Sequence, residues 1–338
     1  MSDTALMSLR EIETLAYDAL KAVGTDDTAA RAMATATAAT EADGVASHGL
    51  AYIPIYAEHV TCGKVNGAAK PIVTRPKPAF IQVDAQNGFA HTAIDAGFDP
   101  LFEAARENGI AVLAIDQSYN CGVLGYHTYR MAKAGLIGIG FTNAPASIAP
   151  SGGRTPVVGT NPFSIAVPAD SSGQAEPAIL IDQSASAIAK SEIMKHARED
   201  KPIPVGWALD ADGHPTIDPH RALKGSMMPS GGYKGVGVAI LVEVLAAALS
   251  GGNLGTQASP FSGPVGGPPA TGQVFIAIDP STGRDGFEGR IATLVASITD
   301  QEGAHLPGQG RAGKRAVADQ GINVSNATIA KIQAIITG

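Results

Sequence analysis

Cysteine is nearly absent from this chain: its 338 residues include only two, Cys62 and Cys121. They lie far apart in the sequence and match no metal-ligand spacing, so we expect neither a metal site nor a disulfide framework. Two reduced thiols are typical of a reducing compartment. The first residues, Met-Ser-Asp-Thr-Ala-Leu, also lack the basic and apolar regions of a signal peptide. The sequence therefore predicts a cytoplasmic protein.

Charged side chains are also scarce, at 16% of the residues, and the lysines and arginines form no run. Because the formal net charge is −7, the chain offers no basic face to a phosphate backbone, and we expect no nucleic-acid partner. No apolar run reaches the roughly 20 residues that a membrane helix needs. The longest, around residues 236–249, is interrupted by Gly237 and Glu243, so we expect no membrane partner.

The sequence does contain alternating helix and strand patterns. Ser8-Leu-Arg-Glu11 is a capping box that opens the first of two helices predicted within residues 8–43, and a third helix is predicted over Leu50–Cys62. Strands are predicted at 79–84, 110–115, 136–142, 164–168, 178–181 and 274–278, and further helices at 93–108, 126–134, 194–200, 234–249 and 287–298. Strands that are apolar on both faces predict an α/β fold whose sheet is covered by helices.

The length of the chain predicts about two domains. We expect a helical domain made of residues 1–75 together with 288–338, and an α/β domain over residues 76–287. The segment 251–273 is rich in glycine and proline, but a predicted strand follows it. We therefore expect a long loop there and not a linker.

Ser47-His48-Gly49 follows a helix end and precedes another helix. A histidine in a loop between serine and glycine is open to a ligand, and its pKa suits proton transfer near neutrality. The alternative is a surface turn with a capping serine. Of the eight histidines, His48 is the best candidate for catalysis.

Three segments of small and polar residues are candidates for ligand binding. Ser118–Gly125 follows a strand and precedes a helix, where α/β proteins bind ligands, although an ordinary connection fits equally well. Gly159-Thr-Asn-Pro162 offers donors to a carboxylate but is also a common turn sequence. Ser230–Gly235 opens an apolar helix and includes Lys234, so it suits an anion or serves only as a glycine-rich cap.

Two glycine patterns fail as dinucleotide fingerprints. Gly135-Leu-Ile-Gly138-Ile-Gly140 and Gly232-Tyr-Lys-Gly235-Val-Gly237 have the spacing reversed, and neither follows a strand and opens a helix in the required order. No Walker loop is present either. A Rossmann domain is therefore not expected.

A further polar segment, Asp182-Gln-Ser-Ala-Ser186, ends an apolar strand and is followed by Lys190, Ser191 and Glu192. Ser47, His48 and Glu192 could form a Ser–His–acid set, although spacing alone does not bring them together. A hydrolase with Ser47 as nucleophile is disfavoured because no nucleophile-elbow pattern surrounds it.

Taken together, the motifs resemble the type-2 malate/lactate dehydrogenase superfamily over nearly the whole chain. The matching segments are Asp43–Leu50, Ser118–Gly125, Gly159–Pro162, Asp182–Ser186, 204–219 and Gly231–Gly235. The resemblance implies a non-Rossmann, nicotinamide-dependent dehydrogenase fold, with a mixed sheet covered by helices and a helical domain formed by the N- and C-terminal segments. It also implies a homodimer that binds NADPH, or alternatively NADH, and acts on a small molecule.

Within the family the chain is most similar to Δ1-pyrroline-2-carboxylate/Δ1-piperideine-2-carboxylate reductases, which use NADPH to make L-proline or L-pipecolate. This resemblance implies that His48 donates the proton, with Ser47 and Glu192 as its relay, and that Tyr52 and Thr160 border the substrate. It further implies that a set of loop residues holds the cofactor: Asn120, Cys121, Gly122, Val123, Leu124, Asp182, Gln183, Ser184, Tyr233, Lys234, Gly308, Gln309, Gly310 and Arg311. Lys190 and Arg311 are the expected partners of a 2′-phosphate.

The chain departs from the family pattern at two positions. Many members carry arginine where this chain has Tyr52, and several carry histidine where it has Asn120. Both changes count against malate, and Tyr52 and Glu192 favour an imine substrate. The alternatives are a 2-hydroxyacid dehydrogenase acting on lactate, malate or sulfolactate, and a non-catalytic ligand-binding protein that keeps the fold, against which the intact Ser47-His48-Gly49 argues.

Overall fold

A mixed sheet lies at the centre of the protein. The computed structural model describes residues 3–338. Within this range the strands are β1 Thr4–Met7, β2 Ile72–Lys77, β3 Phe80–Asp84, β4 Ile110–Ser118, β5 Ile137–Thr142, β6 Phe163–Val167, β7 Ile179–Gln183, β8 Ala208–Leu209, β9 Ser226–Met227, β10 Thr271–Ile278 and β11 Ile322–Ser325. Seven of them form the central sheet, in the order β2-β3-β4-β10-β5-β6-β7.

Helices pack around this sheet and form a separate layer beside it. They are α1 Leu9–Ala22, α2 Asp27–Ala42, α3 Ile53–Thr61, α4 Ala90–Asn108, α5 Leu124–Lys133, α6 Lys190–Arg198, α7 Pro219–Ala222, α8 Tyr233–Glu243, α9 Phe287–Thr299, α10 Gln309–Arg315 and α11 Asn326–Thr337. At its end α8 continues as a π-helix over Val244–Leu249. No helix within residues 3–338 is both long and apolar enough to cross a membrane.

The late strand β10 is inserted between β4 and β5 and pairs with both in antiparallel orientation. Only β3 and β4 run parallel among the seven strands of the sheet. Alternation along β4 sends Leu113 and Ile115 to one side of the sheet, where α4 packs, and Ala114 to the other, where α8 and its π-helix pack. The expected mixed sheet, covered by helices on both faces, is therefore confirmed.

The helical layer is built from both ends of the chain. Ser8 and Glu11 form the expected capping box at the start of α1: the Glu11 N–H donates to Ser8 Oγ at 3.3 Å, and the Ser8 N–H donates to Glu11 Oε2 at 2.7 Å. Buried side chains of α1, α2, α3 and α11 share one apolar cluster, and β1 pairs with β11. The division into two domains at residues 75 and 288 stays a prediction.

Several elements differ from the sequence-based expectation. α6 begins at Lys190 instead of 194, and α8 changes to a π-helix at Val244. β2 was not expected, because Arg75, Pro76 and Lys77 are unusual in a strand. β2 is fully exposed at the edge of the sheet, which is where a strand tolerates proline and charge.

Gly272 allows the π-helix to approach the sheet. A Cβ at this position would overlap the carbonyl oxygen of Ala246 and the Ser250 hydroxyl. Because backbone cannot turn away as a side chain can, we expect Gly272→Ala to destabilise the protein by about 2–3 kcal/mol, the upper end of the range for overpacking.

Gly289→Ala is the matched control for this substitution, since Gly289 lies in α9 and a Cβ added to it would have no other atom within 4 Å. We expect it to be neutral or stabilising by up to about 1 kcal/mol. Urea unfolding of both variants measures the difference. Equal stability of the two variants would contradict the close approach described for Gly272.

Candidate active site

The candidate site lies along one edge of the central sheet. β4 ends there at Ser118, β5 at Thr142 and β7 at Gln183, while β6 begins there at Phe163. The antiparallel pairing places these ends side by side, with β10 bridging Ser118 and Thr142 through its first residues. The Asn120–Leu124 loop, the Gly159–Pro162 turn and the Asp182–Ser186 segment, three of the segments predicted to bind cofactor and substrate, lie at this edge.

Ser47 and His48 lie in a short 3₁₀ turn between α2 and α3. Ser47 Oγ is 3.1 Å from His48 Nδ1, which leaves Nε2 for another partner. The buried Glu41 supports the turn, since its Oε1 accepts a hydrogen bond of 2.8 Å from the Leu50 N–H. A Cβ at Gly49 would overlap the same carboxylate, so a larger residue after His48 would displace Glu41 from the Leu50 N–H.

Tyr52 stacks on His48, with ring centroids 5.9 Å apart and planes 2° from parallel. Its hydroxyl donates to the Phe261 carbonyl at 3.4 Å, and burial raises its pKa to about 12, which the Asn120 side chain partly opposes. The side of the site next to His48 is therefore aromatic and uncharged, which fits Tyr52 as a residue that borders the substrate.

An ion pair controls the charge near His48. Arg311 Nη1 lies 2.8 Å from Asp182 Oδ2, and both side chains are largely buried. Burial lowers the pKa of His48, the negative charge of Asp182 opposes this, and the positive charge of Arg311 adds to it. The two residues expected to hold cofactor thus also influence the pKa of His48.

The loop Asn120–Leu124 is rigidly held. Asn120 Oδ1 accepts from the Gly122 N–H at 2.6 Å, and His127 Nε2 donates to the Cys121 carbonyl at 2.9 Å. Burial raises the pKa of Cys121 to about 12, so its thiol is unreactive. Val123 is the residue before α5, and Leu124 is its first residue.

Gly125, the second residue of α5, touches the ion pair. A Cβ there would lie 2.7 Å from Asp182 Oδ2 and 2.8 Å from Arg311 Nη1. The start of α5 and the ion pair are therefore in direct contact. This contact brings the Asn120–Leu124 loop to the same place as Asp182 and Arg311.

A cavity of about 620 Å³ adjoins the ion pair. Its lining includes four groups of predicted or neighbouring residues, namely Asp43-Gly44-Val45, Ile181-Asp182-Gln183, Pro307-Gly308 and Gly310-Arg311. Lys314, which the sequence did not single out, also lines it and packs against Gly44. Gln309 begins α10 beside these residues. The lining combines two cations, Arg311 and Lys314, with two carboxylates, Asp43 and Asp182, and its glycines leave backbone accessible, a composition that suits the phosphate and hydroxyl groups of a dinucleotide.

Thr160 lies beside the segment that follows β7. Its carbonyl accepts a hydrogen bond of 2.8 Å from the Ala185 N–H, and Ser184 Oγ is 2.9 Å from Ser186 Oγ. The Ser230 N–H donates to the Ala185 carbonyl, also at 2.8 Å. The Gly159–Pro162 turn, the Asp182–Ser186 segment and the start of the 230–235 loop therefore meet.

Three of the predicted site residues neither line the cavity nor form a hydrogen bond with Ser47 or His48. Tyr233 and Lys234 begin α8 and are exposed, and neither lines the cavity. Glu192 lies half-buried in the first turn of α6. Within residues 3–338, neither Ser47 nor His48 has Glu192 as a hydrogen-bond partner, so its relay role stays a prediction.

One charged cluster of this region was missed by sequence reasoning. Arg315 Nη1 lies 2.5 Å from Asp43 Oδ1, and the same guanidinium binds Glu176 at 2.7 Å. This joins α10 to the residues just before Ser47. The sequence feature that could have pointed to this cluster is Asp43, which begins the Asp43–Leu50 segment that carries Ser47 and His48.

The fold and site define a non-Rossmann α/β dehydrogenase. A model of the malate/L-lactate dehydrogenase family matches residues 7–333. The chain belongs to the malate/L-lactate dehydrogenase family. This confirms the family, the fold class and the oxidoreductase class expected from the sequence.

The relatives of this chain include a sulfolactate dehydrogenase and reductases of cyclic imino acids. The chain is 39% identical to a (2R)-3-sulfolactate dehydrogenase (NADP(+)) of Chromohalobacter salexigens, over 97% of each chain. It is 37% identical to a Delta(1)-pyrroline-2-carboxylate reductase of Ancylobacter novellus, over 99% of this chain and 98% of the relative. The solved structure of a delta1-piperideine-2-carboxylate reductase from Pseudomonas syringae pvar. tomato superposes with a TM-score of 0.92, at 34% identity, covering 98% of this chain and all of that one.

The opposing charges near His48 generate a testable prediction. Because Asp182 raises and Arg311 lowers its pKa, we expect Arg311→Gln to raise the His48 pKa and Asp182→Asn to lower it. Imidazole NMR signals of the free protein, titrated against pH, measure both shifts, and His48→Ala assigns the signal.

Lys314→Gln is the matched control, because Lys314 lines the same cavity without being among the charges that shift the His48 pKa. We expect a smaller change there than with Arg311→Gln. Shifts of the same sign in the Arg311 and Asp182 variants would refute the arrangement.

Proposed function

We propose that the protein uses NADPH to reduce a cyclic imino acid, Δ1-pyrroline-2-carboxylate or Δ1-piperideine-2-carboxylate, to L-proline or L-pipecolate. The observation that supports this most directly is the uncharged ring of Tyr52 stacked on His48. A small uncharged ring in the substrate packs well against such an aromatic surface. A second acidic group in the substrate would find no positively charged side chain there to pair with. Relatives named for this reaction match nearly the whole chain.

His48 is the proton donor in this proposal. Its Nδ1 is engaged by Ser47 Oγ, so Nε2 faces the reacting nitrogen and holds or supplies its proton. The charge of Asp182 stabilises the protonated imidazole. When bound, the reduced nicotinamide supplies the hydride that adds to the imine carbon. A relay role for Glu192 rests on the family resemblance alone.

Cations support the preference for NADPH. Arg311 and Lys314 line the cavity, and Lys190, which is not part of that lining, is exposed at the first position of α6. Arg311 and Lys190 are the proposed partners of the 2′-phosphate that distinguishes NADPH from NADH. The cofactor printed in the name of the sulfolactate relative, NADP(+), agrees with this preference.

The second candidate function is the oxidation of a sulfolactate-like 2-hydroxy acid and its reverse. The 39% identity to the sulfolactate dehydrogenase favours it. The same His48 would then pass its proton to a carbonyl oxygen. The two candidates share the residues of the site and differ only in what lies against Tyr52.

The test is a set of parallel NADPH-oxidation assays. We expect rapid turnover of Δ1-pyrroline-2-carboxylate, little with pyruvate, oxaloacetate or sulfopyruvate, and slower turnover when NADH replaces NADPH. His48→Ala should lose about 10²–10⁴-fold in kcat, because a positioned general acid contributes that much, while it still binds NADPH.

Activity confined to the 2-oxo acids would overturn the imine proposal and favour the second candidate. Wild-type rates in His48→Ala would remove His48 from the mechanism. NADPH binding, followed by fluorescence, shows whether the variant site is intact.

We also propose that the protein is a cytoplasmic homodimer. The two cysteines are unpaired, and two reduced thiols are typical of a reducing compartment.

One face of α8 and its π-helix is apolar and exposed, with 48–70% of each large residue accessible. It consists of Tyr233, Ile240, Leu241, Val244 and Leu249. Positions 233, 240, 244 and 248–249 repeat at helical spacing, so they form a continuous stripe. A stripe of this kind marks an interface, and a second copy presents the same stripe.

Leu241→Glu and Val244→Glu should convert the dimer to a monomer, since each places a charge in the stripe. Val265→Glu is the matched control, because Val265 is also apolar and exposed but lies in the 251–273 loop. Sedimentation velocity measures the assembly. A monomeric wild-type protein, or dissociation by the control as well, would contradict the proposal.

A further inference from the structure

Thr160 sits in a turn whose conformation requires support. The next residue, Asn161, is fully buried and has a left-handed backbone, with φ of 38°. Its side chain is fully used: Nδ2 donates to the Ala239 carbonyl at 2.9 Å and to Glu243 Oε2 at 2.7 Å, and Oδ1 accepts from the Ala144 N–H at 3.2 Å. The turn is thus held by α8 through one amide group.

Glu243 is the other half of this contact. Only 8% of the residue is exposed, and its second oxygen, Oε1, accepts from the Gly255 N–H at 2.5 Å. No lysine or arginine within residues 3–338 forms an ion pair with it. A buried carboxylate without a cation is costly unless its oxygens accept hydrogen bonds, so these two donors are what keep it in place.

The hydrogen bonds of Glu243 connect two parts of the site. Asn161 fixes the turn that presents Thr160, and Gly255 lies in the long loop that reaches Phe261, the partner of the Tyr52 hydroxyl. The Thr160 carbonyl is held on its other side by Ala185. Thr160 is therefore fixed between α8 and the segment after β7.

We propose that Glu243 is a positioning residue that sets the place of Thr160 in the substrate site through Asn161. This rests on the proposed function in one respect, namely that Thr160 touches the substrate. Glu243 itself touches neither substrate nor cofactor. In this proposal the charge of Glu243 takes no part in the reaction. What matters is that its two oxygens accept hydrogen bonds from the Asn161 side-chain amide and the Gly255 N–H.

Glutamine cannot replace Glu243 in this role. Its amide has one acceptor oxygen, so its NH₂ would face either the Asn161 NH₂ or the Gly255 N–H, and two donors would oppose each other. We therefore expect Glu243→Gln to move the turn without removing any group from the site. A displacement of this kind near a reacting group lowers catalytic efficiency by up to about 100-fold.

The experiment is a double-mutant cycle with Thr160→Ala, in the full-length protein. We expect Glu243→Gln to raise the KM for the imino acid at least about tenfold while the Kd for NADPH, measured by fluorescence, stays unchanged. In the Thr160→Ala background the same substitution should have no further effect on KM, because the contact it positions is gone. A merely structural role would lower stability without this dependence on Thr160.

Glu288→Gln is the matched control: Glu288 also accepts from a backbone N–H, that of Ser171 at 2.9 Å, but on an exposed surface. It should leave KM and the Kd for NADPH unchanged. Should Glu243→Gln fail to fold, Glu243→Asp takes its place. Aspartate keeps two acceptor oxygens but its side chain is one methylene shorter, so it draws the acceptors away from Asn161 and Gly255, and it is judged by the same dependence on Thr160.

The outcomes separate this proposal from the proposed function. An unchanged KM in the folded Glu243 variant, or effects that add to those of Thr160→Ala, overturns the positioning role. A wild-type KM in Thr160→Ala overturns it too, while imine turnover by the wild-type protein leaves the reaction standing. If the wild-type protein reduces only 2-oxo acids, the proposed reaction fails, and the same cycle with that substrate still tests Glu243.

Discussion

The site depends on the insertion of β10 between β4 and β5. This single late strand pairs with both neighbours and thereby brings the ends of β4 and β5 to one edge of the sheet. β6 and β7 extend the same edge beyond β5. Without β10, the Asn120–Leu124 loop and the Asp182–Ser186 segment would not lie at the edge of one continuous sheet. Backbone pairing in the core thus determines which loops share a site.

Close approach of charged groups to glycine is the second constraint. Glu41 lies against Gly49, Lys314 against Gly44, and the Asp182–Arg311 pair against Gly125. In each case a Cβ would meet a charged side chain. At these positions the absence of a Cβ makes room for a charged side chain. Backbone freedom is not the whole reason for glycine, since Gly49 and Gly125 have ordinary φ values. The Asp182–Arg311 pair next to His48 can therefore be largely buried while its two charges stay in contact.

Local sequence patterns predicted the parts of the fold that short-range physics determines. The capping box at Ser8, the helices of residues 8–43 and the strands of the central sheet follow from spacing of apolar residues. The order of strands does not, because the pairing of β10 with β4 and β5 joins residues more than a hundred positions apart. The edge strand β2 escaped notice because its exposed position removes the apolar pattern that identifies a strand.

As with the fold, the sequence predicted those parts of the candidate site that depend on neighbouring residues and missed those that depend on distant ones. Ser47 and His48 are adjacent in the sequence, so their contact needed no tertiary information, and family resemblance supplied the loops that meet at the edge. The Asp182–Arg311 pair joins residues 129 positions apart, and only the folded chain shows that it acts on His48. Glu243 had appeared only as an interruption in an apolar run, and its acceptor role depends on Asn161 and Gly255.

Helix α8 connects the surface of the proposed dimer to the turn that carries Thr160. Its exposed face carries Ile240, Leu241 and Val244, while Ala239 and Glu243 on the buried face hold Asn161. Both faces belong to the same two turns of helix, so a partner packed on one face restrains the position of the other. The change to a π-helix directly after Glu243 makes this the least regular point of the helix. Packing by a second copy is therefore expected to stabilise the very segment on which the position of Thr160 depends.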